Sequence, residues 1–245
     1  MFRTSNPTLR DGVFHQALSN EGRMTLSGTL AKSGVLFLVL VASAIGGWML
    51  KSPIVMWGGL IIAFVLALVI GFKQTTAPYL APAYAVFKGL SLGAISYWYA
   101  VEFAKSDFRG AIPLAVLGTI VVFGVMLALY ATRIIKVTQT FVAVVAGATL
   151  AIMLTYLATI VLSMFWPGVS QLPIYQAGPI GIGFSLFAIV VAAMNLALDF
   201  RIIEDGVSTG APRYMEWYAG FALLVTIVWI YLELLRLLRL LSSNR

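Results

Sequence analysis

Seven stretches of roughly 17 to 25 mostly apolar residues run from about residue 33 to the end of this chain, each long enough to cross a ~30 Å hydrocarbon layer as a helix. The predicted spans are residues 33–50, 54–72, 81–104, 111–131, 141–165, 178–199 and 216–238. A lone strand cannot satisfy its backbone hydrogen bonds in lipid, so every span is predicted to be helical. The sequence therefore predicts an all-α polytopic membrane protein, a bundle of seven transmembrane helices in contact with the lipid bilayer.

The polar segment 1–32 is predicted to be a cytoplasmic tail, and residues 33–245 form the predicted transmembrane domain. The tail shows no small-residue cleavage site, so the first span is expected to stay as an uncleaved anchor. With the tail inside, the inner segments hold nine basic residues and the outer segments six. This bias favours a cytoplasmic N-terminus, although seven spans then place a basic C-terminus outside.

Composition excludes several classes of function. The formal charge is +7, but the basic residues are scattered in ones and twos without a stripe or binding motif, so no nucleic-acid partner is predicted. The chain has no cysteine, and its one histidine, His15, lies in the tail. Without a nucleophile and base pair or a set of soft metal ligands, neither an enzyme nor a bound cofactor is predicted.

Ionisable residues inside membrane spans cost about 2.5 to 3.5 kcal/mol each on insertion scales, so each of them needs a reason. Asp199 is the leading candidate, because it ends an apolar run one helical turn after Asn195. Both side chains then share a helix face and could form one polar surface within the bundle. The alternative is an interfacial carboxylate paired with Arg201, Arg213 or Lys136.

The last span carries two further acids. Glu216 lies in the first helical turn, where the helix dipole favours a negative charge, so a structural role explains it adequately, with a functional role as the alternative. Glu233 is followed three residues later by Arg236, a spacing that permits a local surface pair. Thr226 lies seven residues before Glu233 and therefore on nearly the same face, so the two could line a polar track.

Lys88 is a further candidate, as a charge partner. It precedes a Gly89-x-x-x-Gly93 ridge of small residues, which allows a neighbouring helix to approach closely. A lysine here either extends to the membrane surface or pairs with a carboxylate, for which Asp199 and Glu233 are the candidates. The sequence does not decide between these alternatives.

Several short motifs in this order resemble the Bax inhibitor-1 family of membrane proteins, and more closely its bacterial branch. They are SNPTL at 5–9, KGLSLGAIS at 88–96, NLALDF at 195–200, MEWY at 215–218 and LELLR at 232–236. The resemblance covers nearly the whole chain. It implies a bacterial inner-membrane protein whose last helix is central and wrapped by the other six.

The resemblance also implies a pH-sensitive calcium leak, in which an aspartate late in the sixth span and another midway along the seventh share a proton as a latch. Asp199 matches the first aspartate, and the second position falls on Thr226. A threonine cannot supply the second charge, so the latch as described cannot be intact here. Glu233 and Glu216 are candidates to substitute, or this branch gates differently or does not conduct calcium.

Two functions remain open from the sequence. The first is a passive cation pathway, with calcium as a transported ion and with oxygen ligands from Asp199, Asn195, Thr226 and Glu233. The second is a non-conducting regulator that binds another membrane protein, such as a quality-control protease, through the tail and helix surfaces. The sequence does not specify an oligomeric state.

Overall fold

The computed structural model describes residues 22–105, 110–166, 168 and 172–243. The helices are α1 Leu26–Leu50, α2 Pro53–Phe72, α3 Ala77–Lys105, α4 Ala111–Ala131, α5 Gln139–Phe165, α6 Pro179–Ser208 and α7 Met215–Ser242, with a short 3-10 turn at Gln74–Thr76. Within these residues the only β pairing is one antiparallel bridge between Arg23 and Pro212. The all-α polytopic fold is confirmed, while the tail motif at 5–9 and His15 lie outside the described residues.

Six of the seven helices are long and apolar enough to cross a membrane, and α3 is the exception. It carries Pro82, Lys88 and Glu102 within its 29 residues, which lowers its mean hydropathy. Nevertheless α3 packs along both α1 and α2, and those two helices are long and apolar enough to cross a membrane. The predicted third span is thus a full-length helix of the bundle that its neighbours cover in part, while Val86, Trp98 and Val101 remain exposed.

Two helix ends differ most from the predicted boundaries. Helix α1 begins at Leu26 rather than at residue 33, because Thr25 caps it by accepting a hydrogen bond from Gly28 N at 3.0 Å. Helix α6 continues past the predicted end at Asp199 as far as Ser208. Backbone hydrogen bonds carry a helix beyond its apolar stretch, so Asp199 lies within α6 and not at its end.

The last helix is the most buried one. In its most apolar stretch 61% of the residues of α7 are buried, against 39% for α6 and 11 to 17% for α1, α2, α4 and α5. It packs against α1, α3, α4 and α6, whereas α2 packs on the far side of α3 and α5 packs on α6. The last helix is therefore central as expected, but only four helices surround its backbone rather than six.

Small residues bring α1 and α3 into close contact. A Cβ added at Gly89 would lie 2.8 Å from Ser43 Cβ, and one added at Gly93 would lie 2.7 Å from the carbonyl carbon of Ala44. Such distances leave no room for a side chain, so the predicted role of the Gly89-x-x-x-Gly93 ridge in close packing is confirmed.

The segment before α1 docks onto the turn between α6 and α7. Met24 N donates to Ala211 O at 2.7 Å, and Arg213 N donates to Gly22 O at 3.1 Å. Met24 itself is buried against Gly206 near the end of α6. Residues 22–25, called here the docking segment, therefore fix the start of α1 to the α6–α7 turn.

Candidate functional site

Asp199 and Thr226 meet in the interface between α6 and α7. Asp199 is 9% exposed, and its Oδ2 accepts a hydrogen bond from Thr226 Oγ1 at 2.7 Å. Their neighbours Leu196 and Phe200 on α6 and Leu223 on α7 belong to one buried apolar cluster. The position expected for a second acid is thus occupied by a neutral hydroxyl that faces the carboxylate directly.

Two of the three cations proposed as ordinary partners of Asp199, Arg201 and Arg213, have other partners. Arg201 pairs with Asp205 at 3.3 Å and donates to the carbonyl oxygen of Val137, and Arg213 lies 3.9 Å from the Glu216 carboxylate. Across residues 22–105, 110–166, 168 and 172–243, no lysine or arginine forms an ion pair with Asp199. The interfacial-pair interpretation therefore finds no support.

Asn195 lies one turn from Asp199 but contacts a different helix. Its Nδ2 donates to Thr149 Oγ1 on α5 at 2.8 Å and to Val191 O at 2.9 Å. The amide is thus directed to the α5–α6 interface while the carboxylate is directed to α7. The two do not form the shared polar surface that their spacing suggested.

Glu233 is the centre of a second polar cluster, seven residues beyond Thr226 on α7. It is 4% exposed, and its Oε1 accepts hydrogen bonds from the Tyr156 hydroxyl and from Trp229 Nε1, the latter at 3.4 Å. Its Oε2 lies 3.8 Å from Arg236 Nη1 and has no hydrogen-bond donor within the described chain. The local pair with Arg236 is present, but it is buried rather than at the surface.

Arg236 ties this cluster to the connection between α5 and α6. Its Nη2 donates to Ile174 O at 2.6 Å, and its guanidinium lies 5.1 to 5.4 Å from the rings of Tyr156, Tyr175 and Phe184. Cation–π contacts of this kind stabilise a desolvated guanidinium. Glu233 and Thr226 therefore belong to separate networks, and the described side chains do not join them in one track.

Glu216 is the most fully compensated acid on α7. It is 2% exposed, accepts hydrogen bonds from Thr25 N and Thr25 Oγ1 at 2.9 Å each, and pairs with Lys32. The carboxylate occupies the space beside Gly28, where an added Cβ would lie 2.6 Å from Glu216 Cδ. Glu216 thus joins α7 to the docking segment and to α1, a role that its place in a first helical turn does not reveal.

Lys88 has no carboxylate partner among the residues that the structure describes. The reason is the orientation of α7. Tyr231 is directed to α3, where its hydroxyl lies 2.7 Å from Ser96 Oγ, and Glu233 lies two residues further on. Two residues correspond to about 200° of helix rotation, so Glu233 is turned away from α3. Pairing of Lys88 with Glu233 or Asp199 is not seen.

A further ion pair lies at the surface near the ends of α4 and α6. Arg133 and the Tyr130 hydroxyl both donate to the Glu204 carboxylate, which is 42% exposed. These hydrogen bonds hold the pKa of Arg133 above its usual range. Sequence reasoning missed this pair because its members are 71 residues apart in the chain and lie outside the predicted spans.

The three buried acids differ in how their charge is compensated. Glu216 has a lysine and two donors, and Glu233 has a phenol, an indole and a nearby guanidinium, but Asp199 has one neutral hydroxyl. No group of three acid, histidine or cysteine side chains converges on a metal site in the part of the chain that is described. Of these three described acids, Asp199 is thus the one with the fewest hydrogen-bond donors and with no ion pair.

These features define a polytopic helical membrane protein with a buried carboxylate between its last two helices. The sequence model of the family described as Bax inhibitor 1 like matches residues 6–243, and the chain belongs to that family. A search of curated proteins finds no match. The expected register of Thr226 opposite Asp199 is confirmed by their hydrogen bond, while the role of the pair stays a prediction.

Proposed function

We propose that this protein provides a passive, pH-sensitive pathway for cations, with calcium as the transported ion and Asp199 as the group whose protonation controls passage. One observation carries the proposal. Asp199 is buried between α6 and α7 with a single neutral hydrogen-bond donor and without an ion pair among the described residues. A carboxylate held in this way is costly, and this cost suits a group that exchanges a proton or a cation.

The oxygen atoms near this position suit a leak better than a storage site. Tight calcium sites use six to eight oxygen ligands, several of them from carboxylates. Here the oxygens that meet are the Asp199 carboxylate and the Thr226 hydroxyl, and Asn195 is engaged with α5. Weak binding of this kind allows an ion to enter and to leave again, as conduction requires. No catalytic step forms part of the proposal.

The Asp–Thr pair also predicts how the pathway differs from one with two acids. Two carboxylates at hydrogen-bond distance share a proton and titrate as a coupled pair. With Thr226 in the second position only Asp199 changes its charge, so the dependence of flux on pH should follow a single proton. Thr226→Asp would place a second acid opposite Asp199, where the Thr226 hydroxyl now lies 2.7 Å from the carboxylate. The flux of this variant should then depend on pH in two steps.

The test is calcium entry into vesicles that contain the purified protein and a calcium-sensitive dye, measured between about pH 5 and pH 8, the range across which a buried carboxylate can titrate. Asp199→Asn should abolish the pH dependence because asparagine keeps the shape and cannot ionise. The matched control is Asp205→Asn on the same helix, since Asp205 is 64% exposed and, among the described residues, forms an ion pair only with Arg201. Equal pH dependence in the wild type and Asp199→Asn would refute the proposal.

The alternative function is a non-conducting regulator of another membrane protein, such as a quality-control protease. Its supporting observation is the attachment of the docking segment to the α6–α7 turn, which links the preceding tail to the two helices of the site. Absence of flux at every pH, together with a co-purifying membrane protein whose binding needs residues 1–21, would favour this function over the cation pathway.

The proposed location is the bacterial inner membrane with the N-terminus in the cytoplasm. The charge bias supports this orientation. The segments at the end of the bundle where α1 begins carry more basic residues than the segments at the opposite end. The chain has no cysteine, so single cysteines introduced at Gln74 and Gly110 report the two ends separately. Labelling of the Gln74 variant in intact cells by a membrane-impermeant thiol reagent would overturn this orientation.

A further inference from the structure

A groove of about 690 Å³ runs along the membrane-facing side of the bundle, with α1 and α4 as its walls and with α7 and part of α3 as its floor. Its lining is almost entirely apolar and includes Phe37, Val41, Val116, Ile120, Leu224 and Val228. The volume falls within the range of small-molecule sites, about 300 to 1,000 Å³. Asp199 and Thr226 are not among the residues that line the groove, although Leu223 of its floor belongs to the apolar cluster around that pair.

The length of the groove fits one lipid acyl chain. Gly34 and Trp48 both line it on α1, and their separation corresponds to about 21 Å of helix rise. The hydrocarbon core is about 30 Å thick and one leaflet about 15 Å, so an acyl chain laid along this length stays within the membrane and extends about 6 Å past the midplane. At Gly34 an added Cβ would meet no atom within 4 Å, which shows that this end of the groove is open space.

The other end of the groove carries the chemistry of a headgroup site. Trp48 packs edge to face against Tyr97 at 5.8 Å, and Lys51 Nζ lies 5.1 Å above the Tyr97 ring. Lys51 is exposed and, within the described residues, forms no ion pair with a carboxylate. A free ammonium beside interfacial aromatic rings complements a negatively charged lipid phosphate.

We propose that this groove binds one anionic phospholipid from the leaflet in which α1 ends, with an acyl chain between α1 and α4 and the phosphate at Lys51. The lipid fills the gap that α1 and α4 leave over α7, and the headgroup charge sets the preference for anionic over zwitterionic lipid. The site is distinct from the cation pathway proposed above and does not depend on it.

The test uses purified full-length protein in phosphatidylcholine vesicles that contain a trace of phosphatidylglycerol with a photoactivatable acyl chain. Crosslinked peptides, mapped by mass spectrometry, should concentrate on Phe37, Val41, Val116 and Ile120. Gly34→Leu should fill the groove and remove most of this labelling. Gly58→Leu is the matched control, because an added Cβ at Gly58 on α2 also meets no atom within 4 Å but lies outside the groove.

A second variant tests the headgroup. Lys51→Gln should lower the preference for phosphatidylglycerol over phosphatidylcholine about fivefold, as expected when one lysine at a membrane surface loses its charge. Both glycine variants must keep the wild-type unfolding midpoint, so that lost labelling reports lost binding. Four results would each overturn the proposal. They are labelling spread evenly over the lipid-facing helices, an equal loss of labelling in Gly34→Leu and Gly58→Leu, an unchanged preference for phosphatidylglycerol in Lys51→Gln, and crosslinks between two copies of the chain.

Discussion

Neutralising Glu216 should release the docking segment from the α6–α7 turn. The carboxylate is 2% exposed and accepts two hydrogen bonds from Thr25 at 2.9 Å besides its pair with Lys32. Glu216→Gln keeps the shape and one acceptor oxygen but removes the charge and places an amide group against the Lys32 ammonium. The segment then loses the contact that holds it from the α7 side.

The size of the effect follows from this burial. Breaking a buried ion pair costs about 3 to 5 kcal/mol, and the partial exposure of Lys32 places the cost near 3 kcal/mol. A change of 1.4 kcal/mol in free energy changes an equilibrium constant tenfold. The fraction of molecules in which the docking segment is detached from the α6–α7 turn should therefore rise about a hundredfold. Cleavage by a protease follows that population when opening and closing are fast.

The assay is tryptic cleavage after Arg23 in purified protein, followed by the appearance of the fragment that begins at Met24. In the closed state Met24 N is bonded to Ala211 O, so the bond after Arg23 cannot enter a protease site. Glu204→Gln is the control, since this exposed pair with Arg133 is worth at most about 1 kcal/mol and should change cleavage less than about fivefold. Wild-type cleavage in Glu216→Gln, or equal acceleration in both variants, would refute the reasoning.

Two further predictions concern packing and the second polar cluster. Gly93→Ala should lower the unfolding midpoint, because its Cβ would lie 2.7 Å from an α1 carbonyl carbon, whereas Gly71→Ala on open helix surface should leave the midpoint unchanged or raise it. A thermal melt monitored by size-exclusion chromatography compares the two. Tyr156→Phe should lower the free energy of unfolding by about 1 to 3 kcal/mol, because it removes a hydrogen bond to the buried Glu233 carboxylate. Tyr130→Phe removes the same kind of bond at an exposed carboxylate and should cost less in the same melt.

The seven helices and the contact between Asp199 and Thr226 could be predicted from the sequence. Apolar length predicts spans because lipid excludes unsatisfied backbone. The resemblance to the Bax inhibitor-1 family placed Thr226 opposite Asp199, where the structure has it. Helix ends were less predictable, since hydropathy marks the apolar stretch and not the hydrogen-bonded helix. Hence α1 begins at Leu26 and α6 ends at Ser208, outside the predicted limits.

Partners between helices could not be predicted from spacing within one helix. Glu216 and Lys32 are 184 residues apart, and nothing local to either residue indicates the other. Asn195 is a case in which spacing suggested a partnership that is absent. Periodicity places it on the same helix face as Asp199, yet its side chain donates to Thr149 on α5. Which neighbour a polar side chain meets depends on how the helices pack, and periodicity does not contain that information.

The docking segment and the Asp199 pair bear on the same helix hairpin. Helix α7 packs against four helices and is more buried than α6, so we expect a separation of Asp199 from Thr226 to come from movement of α6. The turn at the end of α6 is fixed by the bond from Met24 N to Ala211 O. Helix α6 must therefore either pivot about this fixed turn or pull the docking segment away. Pivoting should leave tryptic cleavage after Arg23 the same at every pH, whereas release should make cleavage rise over the same pH range as the proposed calcium flux. Measuring cleavage and flux in one preparation decides between the two motions.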